Sequence, residues 1–278
     1  MAPVTRSDYA SRATRAARTV MLELARILDE YQENVVIVGG WVPELLVPGK
    51  GHVGSTDVDL ALDHEALSDP GYTTLLDHLE ARGYEQSDEQ PFIFEREVEV
   101  EGEAIPVEVD LMSGEYGGTG PSHRTQEVQD VRARKARGCD LAFQFNEEVE
   151  LEDELPDGGI DRAAVRVASL PAFFVMKAMA LEGRVKEKDA WDLWFCLRHY
   201  PGAPESIAEM MSAHAEHGLV QEALSHLDDK FASPDHVGPT HVADFDQIDD
   251  EEARARRKRD AYERVRYVVE NAQADEGA

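Results

Sequence analysis

The sequence predicts an α+β protein, with a mixed β-sheet in its first part and helices in its second. Short β-branched or alternating runs, such as Val35–Val38 and Ala104–Met112, indicate strands in the first part. From Ser169 onward the composition turns helical, with apolar residues at helical spacing. We therefore expect a sheet-based domain over residues 1–165 and a helical domain over residues 166–278.

The charge of the chain is strongly negative, with 57 acidic and 28 basic residues and a formal net charge of −29. Acidic residues spread through periodic segments resemble the surfaces of halophilic proteins, in which salt screens the repulsion. We expect a halophilic source, so the charge does not exclude an RNA partner. The sequence has no run of 18 apolar residues, no apolar signal segment and only two cysteines. We therefore expect a cytoplasmic protein without a membrane span.

The first elements are a helix, a strand and a glycine turn. Apolar spacing predicts a helix over Tyr9–Tyr31, followed by strand Val35–Val38. The strand runs into Gly39 and Gly40, and Trp41–Leu46 is predicted to start a short helix. Glycines at a helix start let backbone N–H groups approach a phosphate, where the helix dipole also favours an anion.

Two aspartates, Asp57 and Asp59, begin the next predicted strand. Side chains two residues apart on a strand share a face, and two neighbouring ionised carboxylates repel each other. A shared divalent cation would relieve that repulsion, and Mg²⁺ prefers oxygen ligands while keeping positions open for phosphate oxygens. Ser55 and Thr56 precede the pair and can add hydroxyl donors.

The elements after this strand continue the mixed pattern. A helix over Asp69–Arg82 is closed by Gly83, which is a common residue after a helix end. Three further strands follow in addition to Ala104–Met112, and they are predicted at Phe92–Glu99, Leu141–Phe145 and Ala164–Ala168.

The order Gly-Gly, a gap and then Asp-x-Asp resembles the signature of the nucleotidyltransferase superfamily related to DNA polymerase β. That resemblance implies a mixed sheet with helices on one side, two Mg²⁺ ions and an NTP substrate. The superfamily uses a third carboxylate on a later strand, a position that Asp110 fills here; Glu108 shares its face and is the weaker candidate. Related sequences often carry a basic residue shortly before Asp-x-Asp. Here His52-Val53-Gly54 stands at that place, so the donor to the phosphates is either missing or supplied by Lys50 or His52.

A second motif occurs on the predicted helices, as Lys177-Ala-Met-Ala180, Arg184 and Lys188-Asp-Ala-Trp-Asp-Leu193. Together with the first motif it resembles the pattern of AbiEii-type nucleotidyltransferases, over about residues 35–200. These are toxin components of bacterial and archaeal abortive-infection and toxin–antitoxin systems. The resemblance implies that Lys177 binds nucleotide phosphates, that Asp189 is a functional acid and that a cognate antitoxin exists.

The residues by themselves leave other interpretations of this motif open. A lysine within an apolar helical stretch needs either a nearby anion or an exit to water, so Lys177 could simply extend to the solvent. Asp189 and Asp192 could be ordinary surface acids that pair with Lys186 or Lys188.

The combined motifs predict a metal-dependent nucleotidyltransferase whose catalytic domain is residues 1–165. The predicted metal ligands are Asp57, Asp59 and Asp110. The predicted nucleotide-binding residues are Gly39, Gly40, Ser55, Thr56 and Lys177. The start Gly39-Gly40-Trp41 also resembles aminoglycoside nucleotidyltransferases, so a small-molecule acceptor is one alternative. A catalytically silent nucleotide- or protein-binding module is another.

Two clusters of basic residues suggest which molecule accepts the transferred nucleotide. Of the 28 basic residues, 12 fall within Arg124–Arg137 and Arg254–Arg266. Clustered arginine is a natural partner of a nucleic-acid backbone, which favours RNA such as a tRNA 3′ end. The alternative is that these residues form salt bridges with nearby acids such as Asp130, Asp260 and Glu263.

Overall fold

The computed structural model of the chain describes residues 5–9, 11–67, 74–115, 124–184 and 186–272. The chain divides into two compact units. The sheet unit comprises Ala10–Leu45 and Gly54–Ala172, and the helical unit comprises Met1–Tyr9, Leu46–Val53 and Phe173–Ala278. The assignment of a catalytic domain to residues 1–165 stays a prediction.

A mixed sheet forms the centre of the sheet unit, as the sequence predicts. Its strands are β1 Val35–Val38, β2 Asp57–Leu62, β3 Glu85–Gln86, β4 Ile93–Val100, β5 Glu103–Ser113, β6 Thr125–Val128, β7 Val131–Lys135, β8 Asn146–Glu154 and β9 Ile160–Ala168. The order is β3-β4-β5-β2-β1-β9-β8, with β7 paired to β5 and β6 paired to β7. Pairs β2–β5, β1–β9 and β5–β7 are parallel, whereas β1–β2, β4–β5 and β8–β9 are antiparallel.

The first four α-helices in the described part of the chain are α1 Ser11–Ile27, α2 Val42–Leu46, α3 Leu75–Glu80 and α4 Asp140–Gln144. Helix α1 packs across β2, β4, β5, β8 and β9 through its apolar face. It is shorter than predicted, because a 3₁₀ helix at Asp29–Asn34 replaces its last turn.

One predicted element of this region differs from the structure, and another lies only partly within the described residues. The predicted strand Leu141–Phe145 is wrong, because α4 occupies it; a five-residue run shows too few turns to separate the two periods. The predicted helix over Asp69–Arg82 is described only from Thr74, whose side chain accepts a hydrogen bond from Asp77 N at 3.2 Å. Its part over residues 69–73 lies outside the described residues.

The remaining helices are α5 Leu170–Gly183, α6 Glu187–His199, α7 Glu205–Ser212, α8 Gly218–Lys230, α9 Val237–Phe245 and α10 Glu251–Ala272. Helix α10 packs against α6, α7, α8 and α9, and α6 packs against α9. Residues Lys188 to Leu197 of α6 are all buried, so this helix lies within the helical core. Among the described helices, none combines the length and the apolar character that crossing a membrane requires.

Candidate active site

The turn after β1 is shaped around one aspartate. Gly39 follows Val38 with φ at +70°, a left-handed conformation that glycine adopts without steric cost. A Cβ atom at Gly39 would lie 1.8 Å from Asp59 Oδ2, so only glycine leaves room for that carboxylate. Val38 pairs with Asp59 in the antiparallel register of β1 and β2, which places the turn beside the acid. Gly40 is buried in the same 3₁₀ turn.

Asp57 and Asp59 share a face of β2, as their spacing predicts. Both are half-buried, whereas Val58 between them is completely buried on the other face. Two contacts fix the start of the strand: Trp41 Nε1 donates to the Asp57 carbonyl at 2.8 Å, and the buried Ser55 hydroxyl donates to Asp57 Oδ1.

The third predicted acid lies on the neighbouring strand. β2 and β5 run parallel, and their register pairs Asp59 with Asp110 and Asp57 with Glu108. Asp110 is half-buried, whereas Glu108 is exposed. We call Asp57, Asp59 and Asp110 the sheet cluster. The structure thus brings together on adjacent strands the three acids that the sequence singles out.

Arg134, which the sequence analysis did not assign to the site, contacts the sheet cluster. It lies on β7 next to Met112 of β5, two residues beyond Asp110. Its Nη2 and Nε both donate to Asp110 Oδ2, at 2.7 Å and 3.2 Å. The guanidinium also lies 5.9 Å from the centre of the Phe92 ring. Strand alternation within Arg132–Arg137 could have predicted the face on which Arg134 lies. No local feature of the sequence predicts that its partner is Asp110.

The sheet cluster fits a divalent cation in ligand type. All its donors are carboxylate oxygens, which hard cations such as Mg²⁺ prefer, and Gly39 keeps the space beside Asp59 open. No group of three or more His, Cys, Asp or Glu side chains converges to hold a metal within the described ranges. The three-carboxylate metal site therefore stays a prediction.

A second group of charged residues lies in the helical unit. We call it the helical cluster, and its members are His52, Lys177, Arg184, Lys188, Asp189 and Asp192. Lys177 Nζ donates to Asp189 Oδ1 at 2.7 Å and to Asp192 Oδ2 at 2.8 Å. Lys188 Nζ donates to both oxygens of Asp192, and Arg184 donates to both oxygens of Asp189.

Burial excludes the simpler interpretations of this motif. Asp189 and Asp192 have no exposed surface, and Lys177 is 7% exposed. Lys177 does not extend to the solvent, and the two aspartates are not surface acids. Each of the two aspartates contacts two of the three cations, so neither buried carboxylate is left unpaired in a region where an unpaired charge would be costly.

Mutual pairing favours the charged forms of Lys177, Asp189 and Asp192, whereas burial lowers the pKa of Lys188 despite its pairing with Asp192. Burial alone would lower the pKa of Lys177, but Asp189 and Asp192 outweigh it and hold this pKa above its ordinary range. Burial would raise the pKa of Asp192, but Lys177 and Lys188 outweigh it and hold this pKa well below its ordinary range. The pKa of Asp189 is lowered in the same way, by Lys177 and Arg184.

His52 is the neutral member of the helical cluster. Its Nε2 lies 3.0 Å from Asp192 Oδ1, and its side chain is completely buried against Trp191 and Phe195. The pKa of His52 is lowered to about 4, mainly by burial. The charges of Lys188 and Lys177 act in the same direction, and the hydrogen bond and charge of Asp192 only partly offset them. His52 is therefore a buried partner of Asp192 in this structure and does not present this nitrogen to the solvent.

A family model supports the likeness that both motifs suggest. The model, described as "Nucleotidyl transferase AbiEii toxin, Type IV TA system", matches residues 24–275. The chain belongs to the AbiEii family. No curated protein matches it. The AbiEii match spans both the sheet cluster and the helical cluster, and it confirms the nucleotidyltransferase fold predicted from the sequence.

We call Arg124–Arg137 and Arg254–Arg266 the basic windows. Most of their basic residues form ion pairs with acids of this AbiEii chain. Arg137 pairs with Glu115 at 2.9 Å, and Arg264 pairs with Asp260 at 2.8 Å. Arg134 and most basic residues of the second window are paired with acids too, namely Arg254, Arg256, Arg257, Lys258 and Arg266. Salt bridging thus accounts for much of the clustering, and an RNA interface stays a prediction.

Proposed function

We propose that this AbiEii chain is a Mg²⁺-dependent nucleotidyltransferase that transfers a nucleoside monophosphate from an NTP to a hydroxyl group of RNA, such as a tRNA 3′ end. The acceptor oxygen forms a bond to the α-phosphorus, the bond between the α- and β-phosphates breaks, and pyrophosphate leaves. The observation that carries the proposal is the pairing of Asp59 with Asp110 on parallel strands, with Gly39 fitted against Asp59.

The sheet cluster supplies the chemistry in this proposal. Two Mg²⁺ ions held by Asp57, Asp59 and Asp110 would stabilise negative charge on the phosphate oxygens. The Asp110 carboxylate accepts the proton of the acceptor hydroxyl, since a carboxylate close to the reacting oxygen can act as a general base.

Residues around the sheet cluster hold the nucleotide. The backbone N–H groups of the Gly39-Gly40 turn contact phosphate oxygens, as a glycine turn before a helix can do. The hydroxyl group of Thr56 adds a donor. Ser55 donates its single hydroxyl proton to Asp57 in this structure, so it would have to leave that bond to donate to a phosphate.

Lys177 and Asp189 take the roles that the family resemblance implies. The family resemblance assigns Lys177 to the nucleotide phosphates and Asp189 to an acidic role. In this structure Asp189 and Asp192 hold the Lys177 ammonium group, so phosphate binding would require that group to exchange partners.

The acceptor and the partner follow from charge and family. Within the basic windows, Arg124, Arg132 and Arg259 are exposed and lie outside the ion pairs described above, so we assign them to contacts with RNA phosphates. Since the family belongs to type IV toxin–antitoxin systems, the transfer activity is toxic and is opposed by a cognate antitoxin.

Labelled transfer assays test this function. We would incubate the protein with each labelled NTP and Mg²⁺, together with total RNA in one series and aminoglycosides in another. The proposal expects label on RNA, at a level that falls when Arg124, Arg132 and Arg259 are all changed to Gln while NTP binding is unchanged.

The other outcomes identify the alternatives. Label on an aminoglycoside but never on RNA would establish the small-molecule enzyme. NTP binding without transfer to any acceptor would favour a silent binding module. Asp57→Asn serves as the catalytic blank, and Asp88→Asn, which changes an exposed aspartate in the same unit, serves as its matched control.

A further inference from the structure

The ion pair between Arg134 and Asp110 engages an acid that the proposed function needs for metal binding. Both donors of Arg134 converge on one oxygen, Oδ2, rather than forming two parallel bonds to the two oxygens. The contact therefore holds the Asp110 side chain in one orientation, on the side of β7.

Repulsion between carboxylates gives this contact a physical reason. Asp59 and Asp110 are register neighbours on parallel strands, and both are half-buried. Two negative carboxylates on adjacent residues of neighbouring strands repel each other unless a cation lies close to one of them. A guanidinium is always protonated, so Arg134 supplies a permanent positive charge at Asp110.

The exposure of the pair allows exchange. The side chain of Arg134 is 34% exposed and that of Asp110 is 18% exposed, in contrast to the helical cluster, where both aspartates are completely buried. Ion pairs in contact with the solvent contribute little net free energy, so a divalent cation with several oxygen ligands can replace one. The contact of Arg134 with Phe92 gives the guanidinium a second neighbour beside Asp110.

We propose that Arg134 is a positioning residue that occupies Asp110 when no metal is bound, and that a divalent cation displaces it to recruit Asp110 as a ligand. This inference rests on the proposed function, because it needs a metal at the sheet cluster. It makes the third carboxylate responsive to the metal: Arg134 and the cation compete for Asp110, so the site assembles only when the cation is present.

Metal binding without nucleotide tests the competition. Mn²⁺ binding would be measured from the electron paramagnetic resonance signal of the free ion, with no NTP present. We expect Arg134→Gln to bind Mn²⁺ about fivefold more tightly than the unmodified protein, since a weak competing pair is removed. The gain should vanish when Asp110→Asn is combined with it, because the competition acts through that carboxylate.

Arg162→Gln is the matched control. Arg162 also directs Nε and Nη2 to a single carboxylate oxygen, Glu152 Oε2, on neighbouring strands of the same unit. Its removal eliminates the same charge and the same bond type, so Mn²⁺ affinity should stay within about twofold of the unmodified protein if the effect is local.

A measurement on the unmodified protein covers the case in which Arg134→Gln does not fold. The Nε–H resonance of Arg134, assigned with Arg134→Lys, should shift on addition of Mg²⁺, whereas that of Arg162 should not. Unchanged or weaker Mn²⁺ binding by a folded Arg134→Gln variant would overturn the inference and leave the proposed function intact. If Asp57→Asn leaves Mn²⁺ binding unchanged, or if the protein binds no Mn²⁺, both the inference and the proposed function would be overturned.

Discussion

The sheet cluster and the helical cluster use the same side chain, aspartate, in opposite electrostatic settings. Asp189 and Asp192 are completely buried, and each contacts two cations of the protein, so their charge is compensated internally. Asp57 and Asp59 lie half-buried and side by side on one strand face, next to Asp110. The first arrangement is stable as it stands, whereas the second suits a cation that arrives with a substrate. Aspartates can therefore serve structure or chemistry, and burial with counter-charge indicates which.

The largest expected effect concerns activity at the sheet cluster. Under the proposed function, Asp57→Asn should lower nucleotide transfer by at least about a thousandfold, because the proposed metal ligand is removed. The same change should leave the free energy of unfolding unchanged or higher, since repulsion with Asp59 is relieved. Transfer rates and chemical denaturation would be measured beside Asp88→Asn. Full activity of Asp57→Asn would show that the sheet cluster has no role in the chemistry that distinguishes it from the helical cluster.

The helical cluster should respond in stability first. Lys177→Met leaves the two buried aspartates Asp189 and Asp192 short of a cation, so the free energy of unfolding should fall by about 3–5 kcal/mol. NTP binding should weaken as well if Lys177 meets the phosphates. Lys186→Met removes the same charge from a half-buried position nearby and should change little. Equal stability of both variants would contradict the internal compensation described here.

Acid should weaken the helical cluster through His52. The pKa of His52 is lowered from 6.5 to about 4. Between these pH values His52 is protonated in the unfolded chain and neutral in the folded chain. The free energy of unfolding should therefore decrease as the pH falls through this window, by on the order of 3 kcal/mol at its end. Denaturation between pH 7 and 5 would be compared with His52→Gln, which should lose this part of the slope. An identical slope in both proteins would show that His52 titrates normally.

A subtler change tests the fit of Gly39 against Asp59. Gly39→Ala should lower transfer by about a hundredfold by displacing the carboxylate, because its Cβ would lie 1.8 Å from Oδ2. Gly49→Ala is the control: Gly49 has φ at +71°, but nothing lies within 4 Å of its added Cβ. Both variants should lose about 1 kcal/mol of stability to backbone strain, and only the first should lose activity. Equal activity would show that Asp59 can adjust.

Local patterns in the sequence determined the elements that carry the sheet cluster. Four β-branched residues before two glycines predicted β1 and its turn, and the spacing of Asp57 and Asp59 predicted their common face. Asp110 needed more than spacing, because strand alternation gives a face but not a neighbouring strand. The resemblance to nucleotidyltransferases pointed to a third acid on a later strand, and only the register of β2 and β5 shows that Asp110 lies beside Asp59.

Short or polar segments defeated the same reasoning. The run Leu141–Phe145 is too short to separate a strand from one turn of helix, and α4 is stabilised by its packing against β1 and β9. The acidic stretch of β8 has little apolar periodicity, and its strand is formed by pairing with β9 along its full length. In both places tertiary contacts outweigh the local propensity.

The sequence by itself determined the order of the motifs, the faces of the strands and the family. The tertiary structure alone decided which polar and charged side chains meet. Arg134 reaches Asp110 across 24 positions of the chain, and His52 reaches Asp192 across 140. The physical reason is that a charge can pair with any opposite charge within a few ångströms, so its sequence neighbours do not identify its partner. Chain packing selects the partner, and with it whether an aspartate is neutralised or available to a cation.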